Sequence, residues 1–328
     1  MSLAATAAVL SLCIGAVWLR AARNEAQAEA QFPPVGQILQ VNGTPVHVMI
    51  GGTGPDLVLI HGAGGNLRDM RFDLLAQLRD RYRVILFDRP GHGYTGHPGD
   101  AQRRRNESPR EQAQLLQAAA QQLGVKNPIV LGHSFGGAVA MAWALEFPAQ
   151  VSALVLLAGA TLPWDCPLKP SYRINAHPLI GAVVVPLITA LVPDRITRRV
   201  MAAIFAPQEM PPGYLDAFGL ALTLRRDTMI ANARQVNALR AHLAEMSVHY
   251  PSITVPIELL HGTADRIVGL DVHSKALAAR MPNAHLTVLE GIGHIVHHAR
   301  PAQVTAAIDR AASRAGLSAS AQAASLNE

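Results

Sequence analysis

The chain has 328 residues, half of them hydrophobic, enough to bury a large core as one domain carrying an insertion. Its formal charge of +5 is modest, and its one dense basic cluster, Arg103-Arg104-Arg105, has no interleaved aromatics, which argues against a nucleic-acid partner. Two cysteines, Cys13 and Cys166, make no disulfide framework, no Cys/His spacing converges on a metal, and no cofactor is expected.

Leu3 to Leu19 is uncharged and almost wholly apolar, and Arg20 and Arg23 follow it. This run sits at the lower length limit for a membrane span. A secretory signal carries its positive charge before the apolar run, whereas here the arginines come after it. Residues 1–23 therefore read as an uncleaved membrane anchor, and the positive flank places the following domain on the cytoplasmic side. Ala28-Glu29-Ala30 resembles a small-residue cleavage site, so the alternative is a cleaved signal and a periplasmic or secreted domain. Residues 24–34 read as a short polar linker.

Ile38–Val41 and Val46–Ile50 alternate around Asn42-Gly43 and predict a hairpin. Leu57–Ile60 and Val84–Phe87 are continuous apolar runs, as in parallel strands buried on both faces. Between them, residues 72–78 have helical spacing. The Arg103–Arg105 stretch reads as a solvated loop that could meet anionic headgroups. Ser108, Pro109 and Glu111 fit the N-cap, N1 and N3 of a helix running to Leu123 and stopping at Gly124. Ile129–Leu131 and Val151–Leu157 are further buried strands. Strands alternating with helices predict a doubly wound, mostly parallel α/β sheet. Ligands in such sheets bind beyond the carboxyl ends of the strands.

Four strand ends carry chemistry. After Ile129–Leu131 comes Gly132-His133-Ser134-Phe135-Gly136-Gly137 and then an apolar helix, a G-x-S-x-G turn that lifts Ser134 above the sheet edge. A serine hydroxyl needs a base, an orienting acid and an oxyanion site. The base is expected at His294, where the strand Leu286–Leu289 runs into Gly291-Ile292-Gly293. His297 and His298 are expected to start the final helix and line the pocket rim. The acid is expected at Asp265, on the loop after Val255–Gly262; Asp165, one strand earlier, is the alternative. After Leu57–Ile60, the loop His61-Gly62-Ala63-Gly64-Gly65 can turn a backbone N–H into the cavity. Phe135 and Ala63 are the expected oxyanion donors, with Gly64 as alternate, together contributing several kcal/mol of barrier lowering. His133, Gly64 and Trp164 are expected against substrate, and His92 is a weaker pocket candidate.

These motifs, with Asp88-Arg89-Pro90-Gly91-His92-Gly93, resemble the α/β-hydrolase superfamily over roughly residues 35–312. The resemblance implies a core at 35–161 and 251–312 and an inserted helical cap at 162–250. It also implies a capped serine esterase or lipase acting on a small-molecule, apolar ester through an acyl-enzyme. Aspartate-nucleophile relatives, the epoxide hydrolases and haloalkane dehalogenases, are disfavoured by Ser134. Relatives also suggest two alternatives: C–C hydrolysis or cofactor-free perhydrolysis with the same triad, and an accessory role in a membrane-linked pathway. Within the cap, residues 176–192 carry no Asp, Glu, Lys or Arg. Such a run is expected to pack on the core or line the pocket; the sharper expectation is that it dips into a lipid surface. Residues 313–328, rich in Ala, Ser and Gln, read as a disordered tail.

Overall fold

The computed structural model describes residues 2–99 and 107–317. The Arg103–Arg105 cluster and the tail from residue 318 lie outside the described residues.

Eight strands make one sheet: β1 (Gln37–Val41), β2 (Thr44–Gly51), β3 (Asp56–Ile60), β4 (Arg83–Phe87), β5 (Ile129–His133), β6 (Ala153–Leu157), β7 (Ile257–Gly262) and β8 (Ala284–Leu289). Their order is β1-β2-β4-β3-β5-β6-β7-β8. The hairpin β1–β2 and the β2–β4 pair are antiparallel, and every pairing from β4 to β8 is parallel. Asn42 and Gly43 both adopt positive φ, which a tight hairpin turn demands.

The sheet is covered on both faces, and the strand residues divide between them with period two. Val58, Ile60, Ile85, Phe87, Val130, Leu154 and Leu156 share one core with α3 (Pro109–Gln122) and α4 (Phe135–Glu146). Leu57, Leu59, Val84, Leu86, Leu131 and Val155 share the other with α2 (Leu67–Leu78) and α13 (Pro301–Arg314). Burial on both sides explains why these strands read as unbroken apolar runs. The capping box of α3 is formed as its sequence predicts: Glu111 N–H donates to Ser108 Oγ and Ser108 N–H donates to Glu111 Oε2.

The chain passes from β3 through α2 to β4 on one side, then returns so that β5 pairs with β3 on the other. Strand order reverses between β3 and β5. The loops leaving those two strands diverge there and leave a crevice, the place where open α/β sheets bind ligands. The glycine loop follows β3 and Ser134 follows β5.

Residues 162–250 lie between β6 and β7 and are helical. They hold α5 (Pro170–Ala176), α6 (Ile180–Leu191), α7 (Asp194–Phe205), α8 (Tyr214–Phe218), α9 (Leu220–Thr223) and the long α10 (Arg226–Ser247); α11 (Ala276–Arg280) follows between β7 and β8. Pro178, Pro193, Pro207, Pro211 and Pro212 fall between helices, whereas Pro186 sits inside α6. The uncharged run forms the α5–α6 corner, which is bent by 108°. Its buried face packs on α1 (Leu3–Gln31) and α10 rather than on the sheet.

The N-terminal segment departs from expectation. α1 spans Leu3–Gln31, so most of the expected linker at 24–34 is helix. Its second half docks on the cap. Arg20 Nε donates to the Ala190 carbonyl (2.8 Å) and Asn24 to the Thr189 carbonyl (2.9 Å). Glu25 accepts two bonds from the Arg226 guanidinium (2.8 and 2.6 Å) and one from the Arg226 N–H (2.8 Å). Glu29 pairs with Arg225 at 2.8 Å. The acidic residues that dilute the positive flank are thus docking groups for two arginines 200 residues away in sequence, a pairing no local pattern reveals.

Candidate active site

Ser134 stands between β5 and α4 with φ +53°, a strained value for a residue with a side chain. Its backbone is over-determined: its N–H donates to the Leu157 carbonyl and its carbonyl accepts from Gly137 and Ala160, each at 3.0 Å. The turn also needs its glycines. A Cβ at Gly132 would come within 2.1 Å of the Gly136 carbonyl oxygen, and one at Gly136 within 2.3 Å of the Ile60 carbonyl oxygen. The hydroxyl makes no capping bond to α4, although Ser134 sits at its N-cap.

His294 follows β8, and its Nδ1 lies 2.8 Å from Asp265 Oδ2. Burial opposes ionisation of Asp265, but hydrogen bonds from His261 and His294, the nearby His294 ring and the Val268 N–H hold its carboxyl well below the usual range. A carboxylate only accepts, so Nδ1 of His294 carries a proton, and the neutral ring is held in the tautomer whose Nε2 has the lone pair. The His294 carbonyl lies 3.1 Å from His133 Nε2, which ties the histidine loop to the residue before Ser134. Asp165, the alternative acid, is exposed and pairs with Arg240 at 3.0 Å.

The glycine loop reaches the serine from the β3 side: a Cβ on Gly62 would lie 3.1 Å from Ser134 Cβ. Among the described residues, neither the Ala63 nor the Phe135 N–H has an acceptor outside its own element. The Gly64 N–H, by contrast, donates to Asn232 Oδ1 of α10 at 2.7 Å, so the alternate donor is engaged by the cap.

The remaining expectations fare differently. His133 is buried beneath the turn, with ring centroids 4.8 Å from His294 and 4.6 Å from His297. Trp164 packs at the edge of the core, 6.1 Å from the His273 ring. His92 is fully buried, bonded to the Pro90 carbonyl and 3.3 Å from Arg89. His297 and His298 are not at a rim. They are buried in α12 (Val296–Ala299), around Asp69. Asp69 accepts from the Tyr214 hydroxyl (2.7 Å) and lies 3.0 Å from His298 Nε2. Burial and the His298 charge lower His297, whereas bonds to Asp69 and Asp73 overcome burial at His298 and raise it to about 9. Asp69, His133 and His297 could converge on a metal ion, their ligand atoms lying within 4.8 Å of one another. Asp69 Oδ1 is already taken by Tyr214 and His298, whereas His133 Nδ1 and both ring nitrogens of His297 have no hydrogen-bond partner among the described residues.

Sequence reasoning missed four supporting residues. His261 Nε2 lies 3.2 Å from Asp265 Oδ2, and the i, i+4 spacing was the available signal. Arg89 is wholly buried, with its guanidinium 4.3 Å from the Phe135 ring centroid. It donates to the Gly62 carbonyl, Gln112 and Gln235 at 2.9–3.0 Å, and burial lowers it to about 9. Asn232 and Gln235 arrive from the cap, where no sequence motif marks them.

A family model described as "Alpha/beta hydrolase family" matches residues 57–308. The chain belongs to the alpha/beta hydrolase family. Among relatives of this hydrolase, 2-hydroxymuconate semialdehyde hydrolase of Pseudomonas putida is 27% identical over 284 residues, 81% of this chain and 90% of its own. The magnesium-chelatase 30 kDa subunit of Rhodobacter capsulatus is 30% identical over 251 residues, covering 74% and 82%. Similar solved structures include an esterase from Exiguobacterium antarcticum, with TM-score 0.67 and 22% identity over 84% of this chain and 99% of that one. A bacterial membrane phospholipase A matches with TM-score 0.65 and 22% identity over 94% and 98%.

Proposed function

We propose that this hydrolase cleaves carboxylic esters of apolar acids through an acyl-enzyme, held at a membrane by the first half of α1. One observation carries the catalytic reading: a strained Ser134 at the switch point of the sheet, with a His294–Asp265 pair carried on the loops that follow β7 and β8. Ser134 Oγ attacks the carbonyl carbon and passes its proton to His294 Nε2. Asp265 remains ionised and stabilises the imidazolium. The N–H groups of Phe135 and Ala63 receive the oxyanion. His294 then protonates the departing alcohol, and a water molecule deprotonated by His294 releases the acid.

A series of p-nitrophenyl esters from acetyl to palmitoyl, with Ser134→Ala alongside, tests this reading. Turnover should fall by about five orders of magnitude in the variant while its melting temperature holds; undiminished turnover would sink the assignment. The relation to 2-hydroxymuconate semialdehyde hydrolase over 90% of that protein's length supports a second reading, C–C hydrolysis by the same residues. Consumption of 2-hydroxymuconate semialdehyde, with p-nitrophenyl esters inert, would favour it.

A further inference from the structure

The cap carries an apolar surface that faces away from the core. On α6, Ile180, Val183, Leu187 and Leu191 follow one another at three- and four-residue steps and are all exposed, Val183 by 62%. The opposite side of α6, with Gly181, Val185 and Ala190, is buried. A helix that is apolar inside and out lacks the polar face a water-bounded surface helix shows. α7, which follows directly, also exposes Ile196 and Val200, flanked by exposed Arg195, Arg198 and Arg199. Apolar residues beside arginines are the pattern of a helix lying in a lipid interface.

The level of this surface is set by α1. From Leu3 to Leu19 the helix rises about 25 Å, somewhat less than the ~30 Å hydrocarbon core. Arg20 and Asn24, the next residues inward, bond the carbonyls of Ala190 and Thr189 at the end of α6. Trp18 lies at the same level, with the Arg226 guanidinium 4.7 Å from its ring centroid. Aromatic and arginine side chains of this kind settle among headgroups. An α1 that enters a bilayer therefore brings the end of α6, and the start of α7 that follows it, to its surface.

We propose that the outer face of α6 and α7 docks on the surface of an anionic lipid bilayer, the one α1 enters, so that apolar esters reach the cap from the lipid. The proposal rests on the anchor reading of α1 and is independent of which bond the active site breaks.

The test uses the full chain with Cys13 and Cys166 replaced by serine. An environment-sensitive fluorophore is placed on one new cysteine at a time: Val183→Cys, Val200→Cys, Val9→Cys in the anchor, and Lys126→Cys at the opposite end of the sheet. Each protein is mixed with phosphatidylethanolamine–phosphatidylglycerol vesicles carrying a nitroxide near the top of the acyl chain. Quenching by roughly half at 183 and 200, together with quenching at 9 and none at 126, is the expected result. Quenching at 9 with none at 183 and 200 overturns the docking face and leaves the anchor standing. No quenching at 9 overturns both. A lipid-independent blue shift at 183 that grows with protein concentration would assign the face to a second copy of the chain instead. Ester turnover, measured on the same samples, reports separately on the catalytic reading.

Discussion

Asp265 makes more contacts than an orienting acid needs. Oδ2 meets both His294 and His261, and Oδ1 accepts from the Ile267 and Val268 N–H groups at 2.8 and 3.0 Å. Replacement by Asn would offer an amide N–H to His294 Nδ1 and force the proton to Nε2, where it blocks the base. Asp265→Asn should therefore lower kcat by about 10⁴ with the fold retained, as read by ester turnover and circular dichroism. His298 makes a pH prediction of the opposite kind. Its pKa rises from 6.5 to about 9 on folding, so its charge stabilises the fold fully below pH 6.5, and that contribution disappears as pH rises through 9. The effect is on the order of 3 kcal/mol. The melting temperature of His298→Gln should fall furthest below that of the parent near pH 6, and the gap should narrow by pH 9.5. A pH-independent gap would show that the charge is not what matters at this position.

Among the elements, α10 links parts that are far apart in the sequence. Its first residue, Arg226, and Arg225 before it hold α1; Asn232 holds the glycine loop, and Gln235 contacts Arg89 and Glu107. One helix thus connects the N-terminal segment to the loop that presents the Ala63 N–H. The Glu25–Arg226 pair is half-buried and bidentate, above the usual run of surface pairs. A double-mutant cycle with Glu25→Gln and Arg226→Gln should give a coupling energy of about 1 kcal/mol by denaturant unfolding. A cycle that closes at zero would mean that packing alone holds α1 on the cap.

For the whole molecule, the sheet and its strand ends were legible in the sequence because both obey short-range rules. Double-sided burial makes parallel strands read as apolar runs, and the turn after Leu131 admits only glycine at 132 and 136. The residues expected to act together, Ser134, Asp265 and His294, each announced themselves at the end of such a run. The helical insertion at 162–250 was expected, but its contacts were not legible, because they depend on pairings across 145 to 229 residues. Asn232 is one polar residue on a long helix until folding sets it against Gly64. Asp69 is one acid in a helix until Tyr214, His297 and His298 surround it. The N-terminal helix shows the same limit, since Glu25 and Glu29 looked like ordinary linker charges until Arg225 and Arg226 were placed against them.

That docking changes what proteolytic maturation would entail. Ala28 is 2% exposed and Glu29 is paired, both inside a continuous helix, whereas a processing peptidase must draw its target into an extended strand. A cut after Ala30 would have to occur before α1 seats itself, and the product would leave the two arginines at the head of α10 without their carboxylates. Intact-mass measurement of the protein recovered from cells should accordingly find Glu25 and Glu29 still attached.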